Sequence, residues 1–238
     1  MPIDEALLLR VGIDSGTGRA HGPLFSDGTF EYIPIPESRK TVEERTYDDI
    51  VGRSGEAFST YVSHLADKTP HYDPEFRTYT YGDPSRIKRS QLARLTEGDL
   101  LVFYAGLEPL DGSAPPLLYA IGYFTVAESY DLEAMTPAER EGALPRLSNN
   151  AHVKLRGLTA ESSGPDERYP VIVQGTPTKS GLFRYPRPLG TADRQVISEV
   201  AEAIGFQGDL TRAGTARVLD AERSEEILAW LGSAENGW

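Results

Sequence analysis

The sequence contains no cysteine, which excludes disulfides, thiolate-held metals and a cysteine nucleophile. Any metal would have to be held by His, Asp or Glu, and histidine is scarce, with four in the chain. Long apolar runs are also missing. None approaches the ~20 residues that a spanning helix needs, and the Met-Pro-Ile-Asp-Glu start lacks a basic stretch followed by an apolar one. A soluble, cytoplasmic protein with no membrane partner is the expectation. Basic residues are few: 24 Lys and Arg face 36 Asp and Glu, for a formal charge of −12. Duplex binding draws most of its affinity from neutralised phosphates, so simple coating of nucleic acid is disfavoured, although a local basic face is not. The same balance would suit a salty cytoplasm. Repeats of solenoid length and low-complexity tracts are lacking too.

What is present fits a packed globular chain of 238 residues, 39% hydrophobic and 25% charged, read as one domain over 1–238 with a helical C-terminal part over 191–232. Ala6 to Val11 reads as a buried strand and Thr29 to Ile35 as a second, ended by prolines. Phe58, Tyr61, Val62 and Leu65 recur at helical spacing and predict an amphipathic helix from Gly55 to Ala66. GDLLVFYAGL and LLYAIGYFTVAESYDL, divided by a turn-rich EPLDGSAPP, predict a hairpin. HVKLRGL, YPVIVQG and GLFRYPRPL are shorter strand candidates, the last an edge strand because its prolines cannot donate to a ladder. Thr191 can cap a helix bearing Val196, Ile197, Val200 and Ile204, with Gly205 as its stop, and a last helix covers Ala221 to Leu231. Strands in the middle and helices at the ends predict an α+β fold with a mixed, largely antiparallel sheet and flanking helices, rather than a strictly alternating parallel sheet.

Chemistry-bearing residues gather first in the loop between the two early strands, where Arg10, Asp14, Ser15, Arg19, His21 and Asp27 lie among five glycines. Gly12, Gly16 and Gly18 fit neither a dinucleotide fingerprint nor a Walker loop, and no helix follows to present its N–H groups to phosphate. A glycine-relaxed turn is the plain reading. It leaves Arg10, directly after three leucines, in need of a carboxylate, with Asp14 and Asp27 as candidates. The second gathering is HYDPEF: in an extended segment His71 and Asp73 face the same way, an imidazole and a carboxylate suited to proton transfer, or merely to capping a turn. His64 reads as helix packing and His152 as the start of a strand. A set of His21, His71, Asp14 and Asp73 could in principle ligate metal, but the spacing carries little weight, so no metal site is assigned and the cofactor is unknown.

The third is the run Arg77 to Leu95, where Arg77, Arg86, Lys88, Arg89 and Arg94 face the single acid Asp83 and alternate with Tyr79 and Tyr81. Cations meet phosphates and rings stack on bases, so Arg77, Tyr79, Tyr81, Arg86, Lys88 and Arg89 are the candidate nucleic-acid contacts. Solvated residues paired with the abundant acids would produce the same pattern. Lys179, Arg184, Tyr185 and Arg187 form a smaller cluster.

LLLRVGIDSGTGRAHGPLFSDGTFEYIPIPES, TYDDI, HYDPEF, GDLLVFYAGL and LYAIGYFTV, in that order, resemble the nucleotide modification associated domain 3 family through most of the first 126 residues. Arg10, Gly12, Asp14, Ser15, Pro23, Asp27, Gly28, Pro34, Pro36, Tyr47, His71, Asp73 and Pro74 hold the resembling positions. The insertion-like TGRAH departs from the pattern and leaves Arg19 and His21 without a family role. The resemblance implies an α+β domain linked to hypermodification of DNA bases in phages and bacteria, with DNA or a nucleotide, and other DNA-modification proteins, as partners. It implies no particular reaction. Arg10, Asp14, Ser15, Asp27, His71 and Asp73 are then the candidate catalytic set, the early loop forming one wall and the later box the other. GDLLVFYAG followed by LYAIGYFTVAESY is also similar to the strand pair of PUA-like barrels, a resemblance that implies a partly closed barrel with flanking helices as the alternative to an open sheet. Two readings stay open: an enzyme or its accessory, or a PUA-like module that recognises modified bases without changing them, with Tyr104, Tyr119 and Tyr123 as stacking rings.

Overall fold

A computed structural model describes residues 3–166, 168–190, 195–204 and 217–232. Its centre is the predicted hairpin: β6 (Leu100–Pro109) and β7 (Leu117–Asp131) pair antiparallel from Leu100↔Thr125 to Leu107↔Leu117, with a bulge at Phe103/Tyr104. β1 (Ala6–Arg10), almost wholly apolar, lies parallel to β6 and is buried. β2 (Gly22–Leu24) continues along the same edge of β6, also parallel. β7, 15 residues long, serves two partners in tandem: β9 (Gly181–Pro188) beside Tyr119 to Tyr123, and β8 (Val171–Gly175) beside Val126 to Asp131. β5 (Thr80–Asp83) pairs with β8, and β10 (Arg217–Leu219) with β1.

The sheet path runs β10-β1-β6-β7-β8-β5, so the architecture is α+β with a mixed, largely antiparallel sheet that does not close into a barrel among the described residues. β3 (Ile35–Pro36) and β4 (Pro70–His71) form a separate two-stranded ribbon, Ile35 opposite His71. The helices are α1 (Arg86–Leu92), α2 (Pro137–Ala143), α3 (Ser198–Ile204) and α4 (Ala221–Gly232). The C-terminal part thus contributes the edge strand β10 as well as helices. Val196, Val200, Leu219, Ile227 and Leu231 join the main core beneath the sheet. The proposed Thr191 cap and Gly205 stop lie outside the described residues.

Three local expectations are corrected. The helix over 55–66 is instead two 3-10 turns, Phe58–Thr60 and Ser63–Leu65. Phe58, Val62 and Leu65 still bury together with Ile13, Ile33 and Tyr47, which is why the apolar spacing looked helical. The strand over 29–35 forms only a bridge at Phe30 and the short ribbon at its end. HVKLRGL is no strand: residues 151–154 are turns, belonging to a long excursion between β7 and β8. That excursion is pinned by α2, whose Thr136 and Glu139 form a capping box behind Pro137. Buried Arg140 donates to the carbonyls of Leu132, Met135 and Ala160 and lies over the Tyr169 ring.

Candidate functional site

The excursion is held against the 37–43 segment by backbone bonds from Val42 to Lys154 and from Arg156 to Lys40. Between these segments and the HYDPEF box lies a buried polar cluster. Asp73 Oδ1 accepts from Asn150 Nδ2 at 3.0 Å, and the Gly82 N–H lies 3.1 and 3.2 Å from its two oxygens. Asp73 Oδ2 faces His152 Nε2 at 3.6 Å, with the carboxylate 4% and the imidazole 6% exposed. Asn150 Oδ1 in turn accepts from the His152 backbone N–H, which fixes the loop that presents this ring. The His71 and His152 rings meet edge to face, with centroids 4.8 Å apart. Gly82 makes room for them: a Cβ there would stand 3.1 Å from His152 Cδ2 and 3.3 Å from Asn150 Oδ1.

Behind each imidazole stands a carboxylate. His71 Nδ1 is 2.6 Å from Glu37 Oε2, and His152 Nδ1 is 4.0 Å from Asp166 Oδ2. Arg39 joins the two acids, with Nε at 3.2 Å from Glu37 and Nη1 on Asp166. Burial pushes the Glu37 carboxyl up, but the hydrogen bond and charge of His71, with Arg39, outweigh it and hold the group at about 2. His152 Nδ1 and Asp166 Oδ2 are both buried without a hydrogen-bond partner. Among the described residues, His71, Asp73 and His152 are the group whose donor atoms lie close enough to hold a metal ion, all within 4.8 Å of one another.

The early loop is organised otherwise. Arg10 pairs with Asp14 at 3.0 Å, as the need for a carboxylate required. The other Asp14 oxygen accepts from the N–H groups of Gly16 and Thr17 and so closes the turn, while Ser15 is exposed. Asp27 accepts from the Thr29 N–H and hydroxyl in an exposed turn. This loop and the HYDPEF box are connected through one ring. Gly12, at φ +76°, lets the chain lie against Tyr32, since a Cβ there would stand 3.2 Å from the ring. The Tyr32 hydroxyl donates to the Asp73 carbonyl at 3.0 Å. His21 sits elsewhere, 3.4 Å from Glu108.

The side chains of the 71–73 segment divide. Tyr72 lines a cleft of about 470 Å³ with Glu31, Arg53, Phe76, Arg77 and Tyr79, whereas its neighbours His71 and Asp73 belong to the buried cluster. Arg77 and Tyr79 of the basic run therefore reach the cleft. Tyr81 is instead a core residue, tilted on Phe103. Lys88 and Arg89 are paired with Asp83 at 3.2 Å and Asp131 at 2.7 Å, and Arg86 is exposed at the start of α1. Tyr104 is buried, and Tyr119 and Tyr123 are half-buried, their phenols pushed up by burial.

Glu31 is the cleft's buried acid. Desolvation raises its carboxyl against the backbone N–H groups of Ser54 and Arg53, which lower it. A raised folded value means that its contribution to stability is full below the ordinary value of 4.5 and is lost as pH rises through the folded value. Glu31→Gln should therefore gain on the parent protein between pH 4.5 and neutrality. Thermal melts across that range check the sign, and a constant gap would show that the charge is not buried in solution.

The model of a family described as nucleotide modification associated domain 3 matches residues 5–200. The chain belongs to that family. The match runs well past residue 126 and takes in Asn150, His152 and Asp166, the excursion residues of the cluster. Neither the curated proteins nor the solved structures yield a match. For this member of the family, sequence reasoning found His71 and Asp73 but missed His152, Glu37, Arg39, Asn150 and Asp166. Only the scarcity of histidine could have marked His152.

Proposed function

We propose that the protein acts in the modification of DNA bases, as an enzyme or as the accessory of one, with His71 and Asp73 as its chemical groups and His152 beside them. The observation that carries this is the gathering of two imidazoles and three carboxylates, from segments far apart in the chain, into one buried cluster. Such a cluster is costly to bury and suited to moving a proton. The nucleotide or base occupies the neighbouring cleft, where Tyr72, Phe76 and Tyr79 offer ring faces, Arg53 and Arg77 meet phosphate, and Glu31 meets a base edge. Tyr72 ties this cleft to the cluster through the chain, since the His71 and Asp73 side chains on either side of it turn the other way, into the buried cluster. In this reading the early loop is a support: the Arg10–Asp14 pair stiffens the turn that sets Gly12 on Tyr32, and Ser15 and Asp27 form its solvent side. Arg86, exposed, and Lys88 and Arg89, already paired with Asp83 and Asp131, form a weak outer face for phosphate, and Tyr81 belongs to the core.

A second reading, a PUA-like reader that binds a modified base without changing it, is favoured by the aromatic character of the cleft. Mass spectrometry of nucleosides from cells carrying the gene and its neighbours separates the two. His71→Gln and Asp73→Asn should lower the modified nucleoside by ~100-fold or more while oligonucleotide binding persists. Tyr72→Ala should weaken binding by ~1–3 kcal/mol. Retained modification in both of the first variants would end the enzyme reading, and parallel loss of binding in all three would support the reader.

A further inference from the structure

The pattern around the two histidines points to a partner that neither proton transfer nor base recognition requires. Glu37 occupies Nδ1 of His71 at 2.6 Å. That bond leaves Nε2 as the ring's available lone pair. His152 repeats the arrangement: Nε2 faces Asp73, and Nδ1 faces Asp166. Imidazoles that ligate metals almost always give their second nitrogen to a carboxylate or carbonyl, which fixes the tautomer and aims the ring. Here His71 is bonded to such a carboxylate and His152 faces one at 4.0 Å, and a single arginine, Arg39, holds the two carboxylates in place. Asp73 is likewise oriented, by Asn150 and by the Gly82 N–H.

We infer that His71 Nε2, His152 Nε2 and an Asp73 oxygen form a binding site for a divalent first-row transition metal of the zinc or iron class. The edge between His152 Nε2 and Asp73 Oδ2, 3.6 Å, is close to the ~3.4 Å expected between two donors each about 2.1 Å from a tetrahedral ion. The widest separation in the group is within 4.8 Å, so loading draws the donors inward by roughly 1 Å. The tautomer that such an ion imposes bears on a second feature. His152 Nδ1 and Asp166 Oδ2 are buried, face each other and are not bonded. With His152 Nε2 on a metal, Nδ1 carries the proton and Asp166 becomes its acceptor. Two nitrogens and one oxygen, with no sulfur, favour Zn²⁺, Fe²⁺, Mn²⁺ or Co²⁺ over Mg²⁺, which prefers oxygen and water. Three protein donors leave coordination positions open, as sites with a chemical role do.

Untagged protein, dialysed against chelator and titrated with Zn²⁺ or Co²⁺ in competition with a chromophoric chelator, should bind one ion per chain, and Co²⁺ should give visible absorption bands. Glu37→Gln and Asp166→Asn keep every ligand and should weaken affinity by about 10–100-fold. The double variant His71→Gln/His152→Gln should abolish binding, with circular dichroism to establish that it folds. If that variant does not fold, the two carboxylate variants decide, together with the rise in melting temperature that Zn²⁺ gives the parent protein. Absence of stoichiometric uptake by the parent protein would overturn the site, as would unchanged affinity in both carboxylate variants. Because binding is read directly, a protein that takes up metal yet modifies no base would leave this inference standing and remove only the enzymatic reading.

Discussion

Asp73→Ala is expected to destabilise the protein by about 3–5 kcal/mol, the range for breaking a buried charged network by removing one member. The side chain satisfies three partners at once. Without it the Gly82 N–H loses its acceptor and the Asn150 amide keeps only the Thr80 hydroxyl at 3.3 Å, and each buried donor left unmade costs ~1–3 kcal/mol. His152, at 3.6 Å, loses the group it faces. Loosening the Asn150 turn also frees the loop that presents His152, because both bonds belong to the same asparagine. Urea titration of the variant against the parent protein measures the loss, provided that the slopes agree. Asp73→Asn should cost less, since it keeps one acceptor for Asn150. A loss under ~1 kcal/mol would mean that the cluster behaves as a solvated pair, and the argument for a buried site at this position would fail with it.

Phe124→Ala should cost a similar ~3–5 kcal/mol for a different reason, an unfilled cavity. Phe124 is fully buried in the middle of β7, paired with Leu101. Its ring meets Phe103 at 4.7 Å, Phe76 at 5.3 Å and Tyr79 at 5.8 Å, all in edge-on geometry. For a chain of this size the melting temperature should fall by roughly 10 °C. The effect should also reach function, because Phe76 and Tyr79 are walls of the cleft and rest on this ring. Oligonucleotide or nucleotide binding should therefore weaken in a variant that touches no ligand. Phe124→Leu, which refills most of the volume, should recover both. Normal binding by a Phe124→Ala protein of lowered stability would show that the cleft walls do not depend on the core beneath them.

The strands that carry this architecture announce themselves locally. Ala6–Arg10 is apolar almost throughout because it is covered on both faces, and Leu100–Pro109 and Leu117–Asp131 are separated by turn formers that leave a hairpin as the natural outcome. The Arg10–Asp14 pair was legible for the same reason, being four residues apart. Phe58, Val62 and Leu65 misled, because two successive 3-10 turns bury side chains at nearly the spacing of an α-helix. The barrel expectation rested on the likeness of the β6–β7 pair to that of PUA-like barrels. One hairpin does not reveal that β7 divides its second edge between β8 and β9, leaving β10 and β5, among the described residues, at opposite ends of an open path.

What the sequence determined by itself is therefore the α+β class, the central hairpin and the family, with the HYDPEF box marked in it as a candidate. The tertiary structure decided what surrounds that box. Asn150 meets Asp73 across 77 residues of chain, and Arg39 meets Asp166 across 127. Neither pairing leaves a period or a spacing in the sequence, because the partners come together only once β7, α2 and the β7–β8 excursion have folded. Hydrophobic periodicity reports which way a side chain points relative to its own neighbours. Which distant polar group it faces is set by packing of the whole chain.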